Sequence, residues 1–167
     1  MFPLFFEVFP HIFEPFPLKE KNFKLYYQLS NLLKNSTYSF RAITNKYIYS
    51  PNIELFINPD DEIKNEVLKG SSIYLAVNTH GESFGITILE AINAGCTAVC
   101  SDISAFKDLL GDSGVYFKNN NLEDLKQTVE QLDTDDIQTI YNKQKTHIEK
   151  YNVDKVMPSW ISLYTQI

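Results

Sequence analysis

Between Ser72 and Ser101 the chain reads SIYLAV, then NTHGESFG, then ITILEAINAG, then CTAVCS. The run at 72–77 is apolar after Ser72 and that at 97–101 holds only uncharged small residues, so a strand built from either has no charged face to turn toward water. Between them lie a loop bracketed by Gly81 and Gly85 and an apolar stretch of helical length that stops at Gly95. Two strands buried on both faces and joined through a helix form the unit of a parallel sheet with helices packed on it. No other part of the sequence restricts the fold as much.

The remaining segments extend the same alternation. A short apolar run at 4–8 leads into a proline-rich loop, and Phe23, Leu25, Tyr26, Leu29, Leu32 and Leu33 form a helical stripe within 20–35. Residues 37–44 and 52–57 are strand-like, while 58–70 open on Asn58, Pro59 and acidic residues and close on Gly70, which marks a helix. A helix at 103–111, a strand at 114–117, an amphipathic helix at 121–132 and two helices at 135–151 and 154–165 complete the order. The expected fold is α/β, a doubly wound (Rossmann-like), mostly parallel sheet of about six strands with helices on both faces. Neither an internal repeat nor a low-complexity linker interrupts it, so residues 1–167 read as one domain. In such a sheet ligands bind beyond the carboxyl ends of the strands, here the loops after Val8, Thr44, Val77 and Ser101.

Net charge is −6, which argues against nucleic acid as a partner because phosphate backbones call for a basic footprint. Arg41 is the single arginine. Cys96 and Cys100 stand four apart in an apolar run, so buried reduced thiols are expected and a metal site is not. The aromatic N-terminus has no basic start and is broken by Pro3, Pro10, Pro15 and Pro17, which does not fit a signal peptide. No run reaches the roughly 20 apolar residues of a membrane span, and a cytoplasmic domain is expected.

The loop after Val77 carries the chemistry. Gly81 and Gly85 permit close backbone approach, and the first N–H groups of the following helix, around Gly85, Ile86 and Thr87, form a site for an anion, most naturally a phosphate. Glu82 precedes this start and Glu90 rises from the second turn. Carboxylates on either side of a phosphate suit a ligand with hydroxyls at both ends, as in a nucleotide sugar. Glu82 alone is equally read as a partner of the helix N-terminus. Glu90, set among Ile86, Ile88, Leu89, Ala91 and Ile92, is expected to be buried, where a lone carboxylate is costly.

With seven residues between Glu82 and Glu90, "NTHGESFGITILEAINAGCTAV" resembles the donor-binding signature of the retaining glycosyltransferases of the GT-B fold, family four, also called group 1. That family carries a Pro-Ser-x-x-Glu-Gly-Phe-Gly loop, a helix with Glu-Ala, then Gly-x-Pro-Val-Val; "SDISAFKDLLGDSGVYF" continues the likeness. The resemblance implies a single half of a GT-B fold that binds a nucleotide diphosphate sugar and transfers the sugar with retention, with no cofactor and no obligatory metal. It implies that Glu82 is the catalytic-site contact to donor-sugar hydroxyls, that Ser83, Phe84 and Gly85 line the sugar with backbone amides, and that Ile86 and Thr87 offer amides to the distal phosphate. Glu90 would accept hydrogen bonds from the ribose. The family's Gly-Arg-x4-Lys clamp is replaced by "FPHIFEPFPLKEKN", which has no arginine; Lys21 is the better candidate for its lysine, ahead of Lys19. Asn78 and Thr79 stand for the family's Pro and Ser, Ser83 for Gly and Thr97 for Pro. Because the family's acceptor site lies in a second domain, a partner protein carrying it is implied, and such a partner could also bring the chain to a membrane surface. The alternative is a binding or interaction module with a degenerate phosphate clamp. Met157, Trp160 and Tyr164 in the last helix would face that second domain, although core packing is their more ordinary use.

Overall fold

The computed structural model describes residues 2–7 and 22–165. Six strands form one sheet: β1 (Phe2–Glu7), β2 (Tyr38–Thr44), β3 (Ile53–Ile57), β4 (Ile73–Ala76), β5 (Thr97–Ser101) and β6 (Val115–Phe117). Their order is β3-β2-β1-β4-β5-β6 and every pairing is parallel. The helices are α1 (Phe23–Leu32), α2 (Asp61–Lys69), α3 (Ile86–Ala94), α4 (Ser104–Leu110), α5 (Leu122–Glu130), α6 (Thr134–Ile148) and α7 (Val153–Tyr164). The expected doubly wound sheet is therefore present. β1 starts earlier than its apolar run suggests and takes in Pro3, which pairs with Ser39 of β2 before the β4 pairing begins at Leu4.

The double burial follows from the period of two along each strand. In β4, Ile73 and Leu75 point into one core with Phe40, Ala42, Val99 and Phe117, beneath α1 and α5. Tyr74 and Ala76 point into the other with Ala98 and Cys100, beneath α2, α3, α4 and Ile148 of α6. Both cysteines are free and buried, and burial pushes the Cys96 thiol up to about 12 and the Cys100 thiol higher still. α2, α5 and α6 begin as their sequences direct, with Asp60, Asn121 and Asp133 each accepting a backbone N–H of the first turn.

α7 does not take core packing, the more ordinary of the two uses expected of it. Val153, Met157, Trp160, Ile161, Leu163 and Tyr164 are all exposed, with Trp160 stacked on Tyr164 at 6.2 Å, so its apolar residues do not pack into the core. Phe84, Ile86, Tyr47 and Tyr49 are further large exposed apolar or aromatic side chains. No helix among the described residues is long and apolar enough to cross a membrane.

Candidate functional site

The strand order reverses between β1 and β4: the chain winds outward from β1 to β3, then returns beside β1 and winds the other way to β6. The carboxyl ends at such a reversal open into a crevice. The loop at 77–85 leaves the carboxyl end of β4 at this point and delivers the chain to α3.

Glycine is demanded at the turn into α3. Gly85 has φ +87, in the left-handed region, and a Cβ there would lie 3.1 Å from Leu109 Cδ2 and 3.5 Å from Phe106 Cδ1. Strain of about 1–2 kcal/mol from the backbone alone attends any other residue. Gly85→Ala should lower the free energy of unfolding by about 1–3 kcal/mol, read from the urea midpoint, since the Cβ adds a tight contact to that strain. At the far end Gly95, at φ +114, closes α3 while the Cys96 N–H returns to Ala91 O at 2.9 Å.

Glu82 is tied into this turn. Its Oε1 accepts the Gly85 N–H at 3.0 Å and the Phe84 N–H at 3.4 Å, and its Oε2 accepts Asn78 Nδ2 at 3.2 Å. The carboxylate thus acts as a partner to the approach of the helix, one of the two uses its position suggested. The Gly85 amide, expected to face a ligand, is instead bonded to Glu82. Ser83 and Phe84 are exposed, with the Phe84 ring edge-on to Tyr151 at 5.4 Å. Ile86 is 62% exposed at the first turn, and Thr87 Oγ1 accepts the Tyr74 hydroxyl at 3.0 Å. Ile86 and Thr87 belong to the first turn of a helix, where backbone N–H groups have no intrahelical acceptor.

Glu90 corrects the expectation of burial. α3 begins only at Ile86, and at 100° per residue Ile88, Ala91 and Ile92 face the core while Ile86 and Glu90, one turn apart, face outward. The Glu90 side chain is 41% exposed, and its Oε2 lies 3.0 Å from Nζ of Lys64 on α2, whose own side chain is only 13% exposed. The carboxylate is therefore paired and open to solvent, so the cost that burial would impose does not arise.

Other sequence candidates fall elsewhere. Lys21, Lys19 and His11 lie outside the described residues. Arg41 Nε bonds Glu54 at 3.2 Å and its NH1 bonds the Gly70 carbonyl at 3.0 Å, at the end of α2 that precedes β4, so it sits toward the amino end of the sheet. His80 is exposed in the loop, with Nδ1 2.8 Å from Thr79 Oγ1. His147 lies on α6, against the Leu109 carbonyl. Asn78, Lys64, Tyr74 and Asn119 hold the site together and were not singled out for such a role by sequence. Only Asn78 carried a signal: a polar residue directly after a fully apolar strand.

Residues 20–152 match the family described as glycosyl transferases group 1. Among curated proteins, the phosphatidyl-myo-inositol mannosyltransferase of Mycobacterium tuberculosis is 45% identical over 56 residues, 34% of this chain and 15% of that protein. The phosphatidyl-myo-inositol mannosyltransferase of Propionibacterium freudenreichii is 47% identical over 53 residues, 32% of this chain and 14% of its own length. The matches thus span a small part of these relatives. Among solved structures, sucrose-phosphate synthase from Thermosynechococcus elongatus superposes with a TM-score of 0.75 at 11% identity, covering 98% of this chain and 45% of that one. A glycosyltransferase from Rickettsia africae gives 0.70 at 18% identity, covering 99% and 48%. These likenesses show the fold, half of a GT-B arrangement. On a match through most of its length, the chain belongs to the glycosyl transferases group 1 family.

Proposed function

We propose that this chain is the donor-binding half of a retaining glycosyltransferase and takes a nucleotide diphosphate sugar in the crevice beside the 77–85 loop. One observation carries the reading: a glycine-initiated helix at the strand-order reversal sets the N–H groups of Ile86 and Thr87 between Glu82 on one side and the outward-facing Glu90 on the other. The distal phosphate would take the Ile86 and Thr87 amides, the ribose hydroxyls would donate to Glu90, and the sugar hydroxyls would donate to Glu82. Ser83 would line the sugar with its backbone amide, and Phe84 and Gly85 would join it once Glu82 releases their N–H groups. Fixed N–H dipoles, with Lys21 as the candidate cation, would stabilise charge on the departing diphosphate. No resident cofactor or obligatory metal enters this scheme. The acceptor would be bound by a partner protein or second domain, and the chain would work in the cytoplasm, with which its buried thiols accord.

The place of Arg41 favours a second reading. With that guanidinium held by Glu54 and Gly70 toward the amino end of the sheet, no arginine serves the phosphates, as in a module that binds a nucleotide sugar without turning it over. Calorimetric titration with UDP, GDP and their glucose and mannose conjugates tests both. The donor reading expects binding of a nucleotide and its sugar; absence of binding to all of them would refute it. Binding with no hydrolysis or transfer, even with candidate acceptor-bearing partners added, selects the second reading.

A further inference from the structure

We infer that Asn78 is the positioning residue for Glu82, an assignment that rests on the donor-binding reading above for its consequence but not for its geometry. Asn78 is 7% exposed, and a carboxamide so buried is costly unless it is bonded. Its Nδ2 donates to Glu82 Oε2 at 3.2 Å. The acceptor is a carboxylate, which fixes the amide's orientation, because only the nitrogen can face it favourably.

The platform under Asn78 is rigid. Its own carbonyl accepts from Ser101 Oγ at 2.5 Å, at the carboxyl end of β5. The next carbonyl, of Thr79, accepts from Asn119 Nδ2 at 2.9 Å, and the Asn119 N–H is held by Asp102 Oδ1 at 2.8 Å. The Asp102 N–H in turn reaches the Phe117 carbonyl of β6 at 2.9 Å. Residues 78 and 79 are thereby fastened to the ends of β5 and β6, and the Asn78 side chain extends from that frame to the one loop carboxylate.

Glu82 is held from two directions that do different things. The Gly85 and Phe84 amides meet Oε1 and fix where the carboxylate sits, whereas Asn78 meets Oε2 and bears on how the carboxylate is rotated over those amides. The family's loop pattern has proline at this position, which has no donor at all. This chain replaces it with a residue that grips the glutamate proposed to bind the sugar.

Loss of the grip should therefore weaken recognition of the sugar and leave the diphosphate alone. Calorimetry on the full chain should show the nucleotide-sugar affinity of Asn78→Ala reduced about tenfold, with the affinity for the bare nucleoside diphosphate unchanged. Asn78→Asp, the same size, sets a second carboxylate against Glu82 and should reduce it further. Unchanged sugar affinity in both variants, or an equal loss for diphosphate and sugar conjugate, would overturn the assignment, the latter because it signals general disruption of the loop. A second measurement is independent of ligand and of how the Asn78 variants fold: the side-chain NH2 resonances of Asn78 in wild type and Glu82→Gln. They should move when the carboxylate is neutralised, and coincident resonances would sink the contact itself. If wild type binds none of the nucleotides, the donor reading fails and the resonances alone decide the role of Asn78.

Discussion

Glu90→Ala should weaken binding of a nucleoside diphosphate about a hundredfold while lowering the melting temperature only modestly. The affinity loss follows from the proposed role. Hydrogen bonds from two ribose hydroxyls to a charged acceptor contribute about 1.5–3 kcal/mol each, and about 3 kcal/mol in all is close to a hundredfold. The small stability effect follows from the structure. Glu90 points away from the core and is 41% exposed, so its loss opens no cavity, and the cost is confined to its pairing at 3.0 Å with the largely buried Lys64. Calorimetry and a thermal melt on the same variant separate the two. A stable variant that binds as tightly as wild type would remove Glu90 from the ribose.

The largest effect on stability is expected far from the site, at Gln144. This fully buried side chain on α6 accepts the Ala98 N–H through Oε1 and donates to the Ala98 carbonyl through Nε2, both at 2.8 Å. Ala98 lies in β5, whose pairing with β6 begins only at Val99, so the carboxamide stands in for one residue of a neighbouring strand. The Thr97 hydroxyl adds a bond to the Ile137 carbonyl at 2.7 Å, fastening α6 to the same edge. Gln144→Leu keeps the volume and strands two buried backbone groups at about 1–3 kcal/mol each. A loss of about 2–6 kcal/mol is a large share of the roughly 5–15 kcal/mol that holds an ordinary domain together. Urea denaturation measures it, and a loss under about 1 kcal/mol would show that the carboxamide does not serve as a strand surrogate.

These two residues also mark where sequence reading succeeded and where it stopped. The elements were legible because their signals are local: an all-apolar run for β4 and an uncharged one for β5, Gly85 and Gly95 at the limits of α3, Asp60 and Asn121 at helix starts. The burial expected of Glu90 does not hold: its neighbours in sequence are apolar, whereas burial depends on helical phase, and phase depends on α3 starting at Ile86. Its partner Lys64 is 26 residues away, and nothing local announces that contact. Gln144 did leave a trace, since it falls in a stripe with Ile137, Tyr141 and Ile148, where a polar residue breaks the apolar pattern. Its bond to Ala98 spans 46 residues and depends on the length of β6, which no periodicity encodes. For α7 both uses were open, because an apolar helical stripe reads the same whether or not anything covers it.

The donor-binding reading requires a nucleotide diphosphate on the start of α3 at the strand-order reversal. Backbone amide spectra of the full chain during titration with UDP or GDP test it most directly. The largest shifts are expected at Ile86 and Thr87, with smaller ones along the outward face of α3 to Glu90 and in the loop from Asn78 to Gly85. Saturable shifts centred elsewhere, on α6 and α7 for instance, or no shift with either nucleotide, would contradict it.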